Sequence, residues 1–231
     1  MPRHSPESRF KDLLAAATRV FIAEGYRRAQ MADVAREMGV AKGTPYLYVE
    51  SKEALFEAVL LASAERLPEA GELDLPLSAR PIEALVATLQ QALEEEATPT
   101  GLLRALAKPR AADPRAELES IVRELYRAAN RHRTSIKLID RCARDQPELA
   151  EAFYRGGRLA QLALLTRFLR MRIEAGQLQA VPDAEIAARF IIETVATWAV
   201  HIHWDPAPQP IDPAIAEDTA VHFVLSGLTK E

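Results

Sequence analysis

The chain has one cysteine, Cys142, which excludes an intramolecular disulfide and any zinc site built from several thiolates. No Gly-rich phosphate loop and no serine elbow occurs, and Cys142 has no readable histidine partner, so a catalytic set is not expected. The opening MPRHSPESRFKDLL has no long apolar run, and later apolar stretches are interrupted by Arg, Glu or His before they reach membrane-spanning length. A cytoplasmic protein with no membrane partner is the expectation. Two-residue alternation between turn signals is also missing, as is any repeat of 20–50 residues, which argues against a sheet and against a solenoid.

The sequence does contain enough apolar material for a packed core. Hydrophobic residues make up 48% and charged residues 27% of 231 positions, a globular balance that needs neither metal nor disulfide for stability. The net charge of −4 is unevenly spread: through Lys52 there are nine basic and six acidic residues, leaving the remainder at −7. A weakly basic head on an acidic body suits contact with a polyanion at one end only.

Apolar residues recur at three- and four-residue spacing almost throughout, so the fold class is all-α. A first helix is expected from about Glu7 to Glu24, with Phe10, Leu13, Leu14, Ala17 and Phe21 on one face and Gly25 as its stop. Short helices are expected over Met31 to Met38 and within Lys42 to Val49. Ser51 then caps a helix reaching about Leu67. The Pro- and Gly-rich stretch from Pro68 to Pro81 reads as an inter-domain connection, dividing a head (1–52, with a connecting helix 51–67) from an all-helical body (68–231). Body helices are expected at about 81–96, 101–108, 114–143, 147–175, 183–204 and 213–228, with starts marked by Asp113-Pro114, Gln146-Pro147 and Pro182-Asp183.

Two very short helices separated by a Gly-containing turn follow the grammar of a helix-turn-helix. Val34, Ala35, Met38 and Val40 would form its small core, Gly39 its left-handed turn, and Lys42, Thr44, Tyr46 and Tyr48 would point outward as donors suited to phosphates and base edges.

Ala16-Ala17, Phe21, Glu24-Gly25-Tyr26, Val34-Ala35, Gly39-Val40, Lys42-Gly43-Thr44, Tyr46, Tyr48, Ser51-Lys52-Glu53 and Leu55 together resemble the head of the tetracycline-repressor (TetR) family of bacterial regulators, over roughly residues 9–60. The resemblance implies a three-helix DNA-binding head, a fourth connecting helix, and a ligand-binding body whose last two helices pack against a second subunit. By position it places Lys42, Gly43, Thr44 and Tyr46 in or along the major groove and Tyr48 and Lys52 on phosphates. Three residues depart from the family pattern. Ala29 replaces a phosphate-contacting Thr, so that contact is missing or moved to Gln30; Ala41 replaces the Ser cap of the recognition helix; and Pro45 replaces an apolar residue, so the helix is expected to start with Thr44 as cap.

In the body, Leu118, Ile121, Leu125, Ala128, His132, Ser135 and Ile139 form one stripe, which leaves His132 either a satisfied core histidine or a ligand contact. Tyr126, Arg133, Phe153 and Tyr154 are further ligand candidates. Gly156-Gly157 interrupts a helical pattern as a kink, a close crossing or a hinge. Ile191, Val195, Trp198 and Ile202 with Ala216, Ala220, Phe223 and Val224 form the candidate dimer interface. His201 and His203, two residues apart, point in different directions on a helix, so no metal and no cofactor is expected. The reading is a homodimeric regulator, most simply a repressor, that binds double-stranded DNA at a palindromic operator and is released by a small molecule. The alternatives are an architectural DNA-binding dimer without an effector, or an all-α enzyme or carrier.

Overall fold

A computed structural model describes residues 6–96, 99–208 and 210–230. Among them the structure is helical, with only an isolated bridge between Val49 and Leu77 of extended character. Packing divides the chain into two units: residues through Ala92 together with 134–153, and residues 93–133 together with 154–231.

The first unit starts with α1 (Pro6–Glu24), followed by α2 (Met31–Met38), a 3-10 turn (Thr44–Leu47) and α3 (Lys52–Ser63). Phe10, Leu13, Ala16, Ala17 and Phe21 of α1 are buried, as are Val34 and Ala35 of α2 and Leu55, Phe56, Val59 and Leu60 of α3. Phe21 meets Phe56 edge-on at 5.1 Å and Tyr26 lies 4.8 Å from Phe56, so three rings close one end of this core. Gly25 and Gly39 end α1 and α2 with φ of 78° and 68°, a conformation that a Cβ would strain. Ser51 caps α3 by accepting from the Ala54 N–H at 3.2 Å. That helix ends at Ser63, a turn short of the expected Leu67.

The stretch from Pro68 to Pro81 packs on this unit as more than a tether. The Leu77 N–H donates to the Tyr48 carbonyl at 2.8 Å, and the Glu50 N–H to the Leu77 carbonyl at 2.9 Å. Buried Glu57 of α3 accepts from the Arg80 backbone at 2.8 Å and pairs with its guanidinium. A further helix, α4 (Ile82–Glu96), follows. Residues 134–153, far away in sequence, also belong here. Arg141, near the end of α7 (Arg133–Cys142), donates to the Ile22 and Ala23 carbonyls at 3.0 and 2.9 Å, where the negative end of the α1 dipole favours a cation. Asp145 accepts from the Arg27 N–H at 2.9 Å, and the Ser135 hydroxyl donates to Ser63 at 2.9 Å. Cys142 is buried beside the Phe21 carbonyl, and burial pushes its thiol up to about 11, so it is chemically quiet at neutral pH.

The second unit contains α5 (Thr100–Leu106), α6 (Pro114–Arg131), α9 (Leu159–Glu174), α10 (Ala184–Ala199) and α11 (Pro213–Leu228). Asp113 and Asp183 cap their helices, accepting from Ala116 and Ile186 N–H groups at 3.0 and 2.8 Å. The expected 114–143 helix breaks at His132, which leaves the helical path between α6 and α7. The expected 147–175 helix is likewise interrupted: α8 (Pro147–Ala150) runs into a π-turn over Glu151–Arg158, which holds Gly156-Gly157 and precedes α9. At the centre lies Arg172, 0% exposed. Its guanidinium takes Glu117 in two hydrogen bonds of 2.7 and 3.0 Å and donates to the Lys108 and Ala105 carbonyls at 2.9 and 3.0 Å, which ties α9 to α5 and α6.

Candidate functional site

Between α2 and α3 the backbone follows from two residues. An α-helix over 42–49 would need the residue at 45 to donate to the Ala41 carbonyl, and Pro45 has no N–H; its ring also crowds that carbonyl. Ala41 has no side-chain oxygen to cap the helix start. The Thr44 N–H takes the Ala41 carbonyl instead, at 2.8 Å, and the chain continues with three-residue spacing, Tyr46 to Gly43 at 3.2 Å and Tyr48 to Pro45 at 3.0 Å. The expected recognition helix is therefore a single 3-10 turn capped by Gly43, and Thr44 lies inside it.

This turn exposes Lys42, Gly43, Tyr46 and Leu47, with Thr44 half-buried and Pro45 buried beneath. A Cβ placed on Gly43 would meet nothing within 4 Å, so the space in front of its backbone is open. Lys42 forms no ion pair among the described residues, whereas Arg19 and Arg36 are held by Glu37 and Asp33 at 2.6 Å. Gln30 is exposed at the start of α2, where its N–H donates to Asp33 at 3.1 Å. Leu47, in the same 3-10 turn, is 67% exposed, a position that nothing in its apolar side chain signals.

Two expected phosphate contacts take internal positions. Tyr48 is only 7% exposed and stacks on Phe10 at 5.9 Å, because the tighter turn rotates it onto α1. The Lys52 ammonium donates to the Tyr26 and Ala29 carbonyls at 3.1 and 3.3 Å and sits 4.6 Å over the Tyr26 ring, so two of its three N–H donors close the α1–α2 loop. Burial, and then the hydrogen bond to Glu53, keep the Tyr26 phenol neutral well above its ordinary range, while the N-terminal backbone of α3 holds Glu53 ionised.

In the second unit a cavity of about 210 Å³ is lined by Tyr154, Arg158, Leu159, Leu162, Arg189 and Ile192. Of the candidate ligand residues, only Tyr154 lines it. Tyr126 is buried, with its hydroxyl donating to the Trp198 carbonyl at 3.1 Å, and burial raises its pKa. Arg133 donates to Asn130 at 2.9 Å. His132, at the helix break, is half-buried and has a partner, as has half-buried Phe153 in the first unit.

The candidate dimer residues divide by exposure. Ile191, Val195, Ala216 and Ala220 are buried against the chain itself, Ile202 and Val224 are half-buried, and Trp198 and Phe223 are exposed. On the same two helices, Ile186, Phe190 and Ile215 are also exposed. Arg123 of α6 clasps Glu217 and Asp218 of α11 at 3.2 and 2.7 Å, which fixes the face that α11 turns inward. Among the described residues no group of three or more His, Cys, Asp or Glu is arranged to hold a metal, and no helix is long and apolar enough to cross a membrane.

The sequence profile of the bacterial regulatory proteins, tetR family, matches residues 13–59, and that of the AefR-like transcriptional repressor C-terminal domain matches residues 116–226. No curated protein matches the chain. Among solved structures, it is similar to the ketosteroid transcriptional regulator KstR2 of Mycobacterium tuberculosis (19% identity, 99% of this chain and 98% of that one, TM-score 0.58). It is also similar to a bacterial regulatory protein of the tetR family from Rhodococcus RHA1 (20% identity, 98% and 99%, TM-score 0.56). At these identities the structural likeness is one of fold.

Proposed function

Because the chain belongs to the TetR family of transcriptional regulators, we propose that it acts as a homodimeric repressor that binds an inverted-repeat DNA site through two heads and releases it when a small molecule occupies the body. The observation that carries the DNA half is the exposed turn after α2. Lys42, the open backbone at Gly43, Thr44 and Tyr46 offer a cation, a close-approach surface and hydroxyl donors on one side of a rigid core. Gln30 at the start of α2 supplies a further donor.

Dimerisation is supported by Phe190 and Phe223, 70% and 71% exposed, with Ile186, Trp198 and Ile215 on the same two helices. Large apolar side chains concentrated on adjacent helices favour cover by a second copy. Two heads would then meet half-sites one helical turn, or a multiple of it, apart.

Selection of bound duplexes from random DNA, with light scattering on the free protein, tests this reading. A dimer in solution and one enriched inverted repeat are expected, and Phe190→Glu with Phe223→Glu gives a monomer that loses the site. A monomeric parent protein, or selection without an enriched sequence, overturns it. Screening for compounds that release the selected duplex tests the effector half.

A further inference from the structure

We infer that the cavity beside the π-turn is a binding site for a small amphipathic monocarboxylate. This deepens the reading of the body as ligand-responsive and rests on it for its regulatory consequence, although binding itself can be measured without DNA. Leu159, Leu162, Ile192 and the ring of Tyr154 offer carbon, and the only cations on the lining are Arg158 from the π-turn and Arg189 from α10. Both guanidiniums pair with one oxygen of Glu193, Arg158 through Nη2 and Arg189 through Nε at 3.3 Å. Two cations on one carboxylate leave one positive charge, which a monoanion neutralises and a dianion over-compensates.

The donor geometry points the same way. A guanidinium carries five N–H donors in a planar fork, and the pairing with Glu193 takes Nη2 of one and Nε of the other. The fork edge of a guanidinium is the geometry that grips a carboxylate through two bonds. The apolar remainder selects a ligand with a hydrocarbon body. At about 210 Å³ the cavity is smaller than the roughly 300–1,000 Å³ of sites for drug-sized molecules, so the body is short. The π-turn carries two of the lining residues, Tyr154 and Arg158, next to Leu159 and Leu162 of α9, and such turns recur at functional sites.

Isothermal titration of the full-length protein with octanoate, 4-phenylbutyrate, 1-octanol and octylamine at matched ionic strength tests the assignment. At least one of the two acids is expected to saturate at one per chain, with 1-octanol about tenfold weaker or worse and octylammonium unbound. Arg158→Gln and Arg189→Gln should each weaken the acid about tenfold while leaving 1-octanol within about twofold, with circular dichroism confirming the fold. The inference falls if neither acid saturates by about 10 mM, if the alcohol binds as well as the acid, or if both arginine variants bind the acid like the parent. The comparison of acid with alcohol needs no variant, so it decides even if a substitution unfolds the chain. An acid that binds with the expected selectivity and leaves the selected duplex bound supports the site and removes the release mechanism. Release by another compound with no acid binding does the reverse.

Discussion

Arg141 and Arg172 each lay a guanidinium on the last carbonyls of a helix, one in each unit of the molecule. Arg141 is exposed and holds Ile22 and Ala23 at the end of α1. Arg172 is fully buried and holds Ala105 and Lys108 around the end of α5, with Glu117 on its other edge. The chemistry is shared, but the depth is not. In water an arginine that loses its carbonyls is resolvated, so the contact is worth the modest net value of a charged hydrogen bond. In the interior, removing one partner strands the other, and the penalty is that of an unpaired charge. The Arg141 contact is thus a reversible surface clasp, and the Arg172 site a polar centre that must be complete.

The contrast is tested most strongly by Arg172→Met. With half-buried Glu117 and the Ala105 and Lys108 carbonyls left without their donor, unfolding in urea should show a loss of about 3–5 kcal/mol, and Glu117→Gln on top of it should recover part of that loss. An effect under about 1 kcal/mol would mean that water reaches the site. Arg141→Met should cost less, about 1–2 kcal/mol. Its loss should appear in hydrogen exchange as earlier opening of the last turn of α1, with the amides of α9 unchanged. Equal effects of the two substitutions would erase the difference in depth.

Neither clasp is visible in the sequence, because each joins residues more than 50 positions apart and a lone arginine in a helix has the look of a solvated one. What was legible was local. The cap at Ser51, the Asp starts of α6 and α10 and the glycine stops after α1 and α2 all depend on neighbouring residues, and they appear where the sequence puts them. The break at His132 has no proline or glycine to announce it. In α10, apolar residues occupy two faces, so periodicity alone does not distinguish Ile191 and Val195, which face inward, from Ile186 and Phe190, which face out. The candidate cavity was legible only through Tyr154, since Arg158 and Arg189 stand outside the apolar stripes.

Within the first unit, a difference between an exposed cation and an internal clasp separates two lysines. Lys52→Met removes an ammonium from the Tyr26 and Ala29 carbonyls and should lower stability by about 1 kcal/mol, with the salt dependence of DNA binding nearly unchanged. Lys42→Ala should leave the unfolding midpoint in place and reduce the slope of log affinity against log salt by about 0.9, the value of one phosphate contact. Unfolding curves and anisotropy titrations at several salt concentrations give both numbers. A changed slope for Lys52→Met with unchanged stability would return that residue to the DNA surface.

The smallest effect concerns the 3-10 turn, where one substitution should be almost silent until a second is made. In Ala41→Ser the new hydroxyl would seek the Thr44 N–H, which the Ala41 carbonyl already holds at 2.8 Å, so the gain should be only a few tenths of a kcal/mol. Pro45→Leu restores an N–H that can take the carbonyl at 41 with four-residue spacing, but it removes a rigid residue suited to the turn, and the two terms oppose. Together, the leucine amide takes the carbonyl, the Thr44 N–H is released to the serine oxygen, and an ordinary helix start forms. The pair should therefore exceed the sum of the singles by about 0.5–1 kcal/mol in a double-mutant cycle, and only the pair should enrich a different sequence from random DNA, because Tyr46 and Leu47 leave the 3-10 register. Additive stabilities with an unchanged selected sequence would mean that packing of α2 and α3 sets the turn, whatever residues 41 and 45 are.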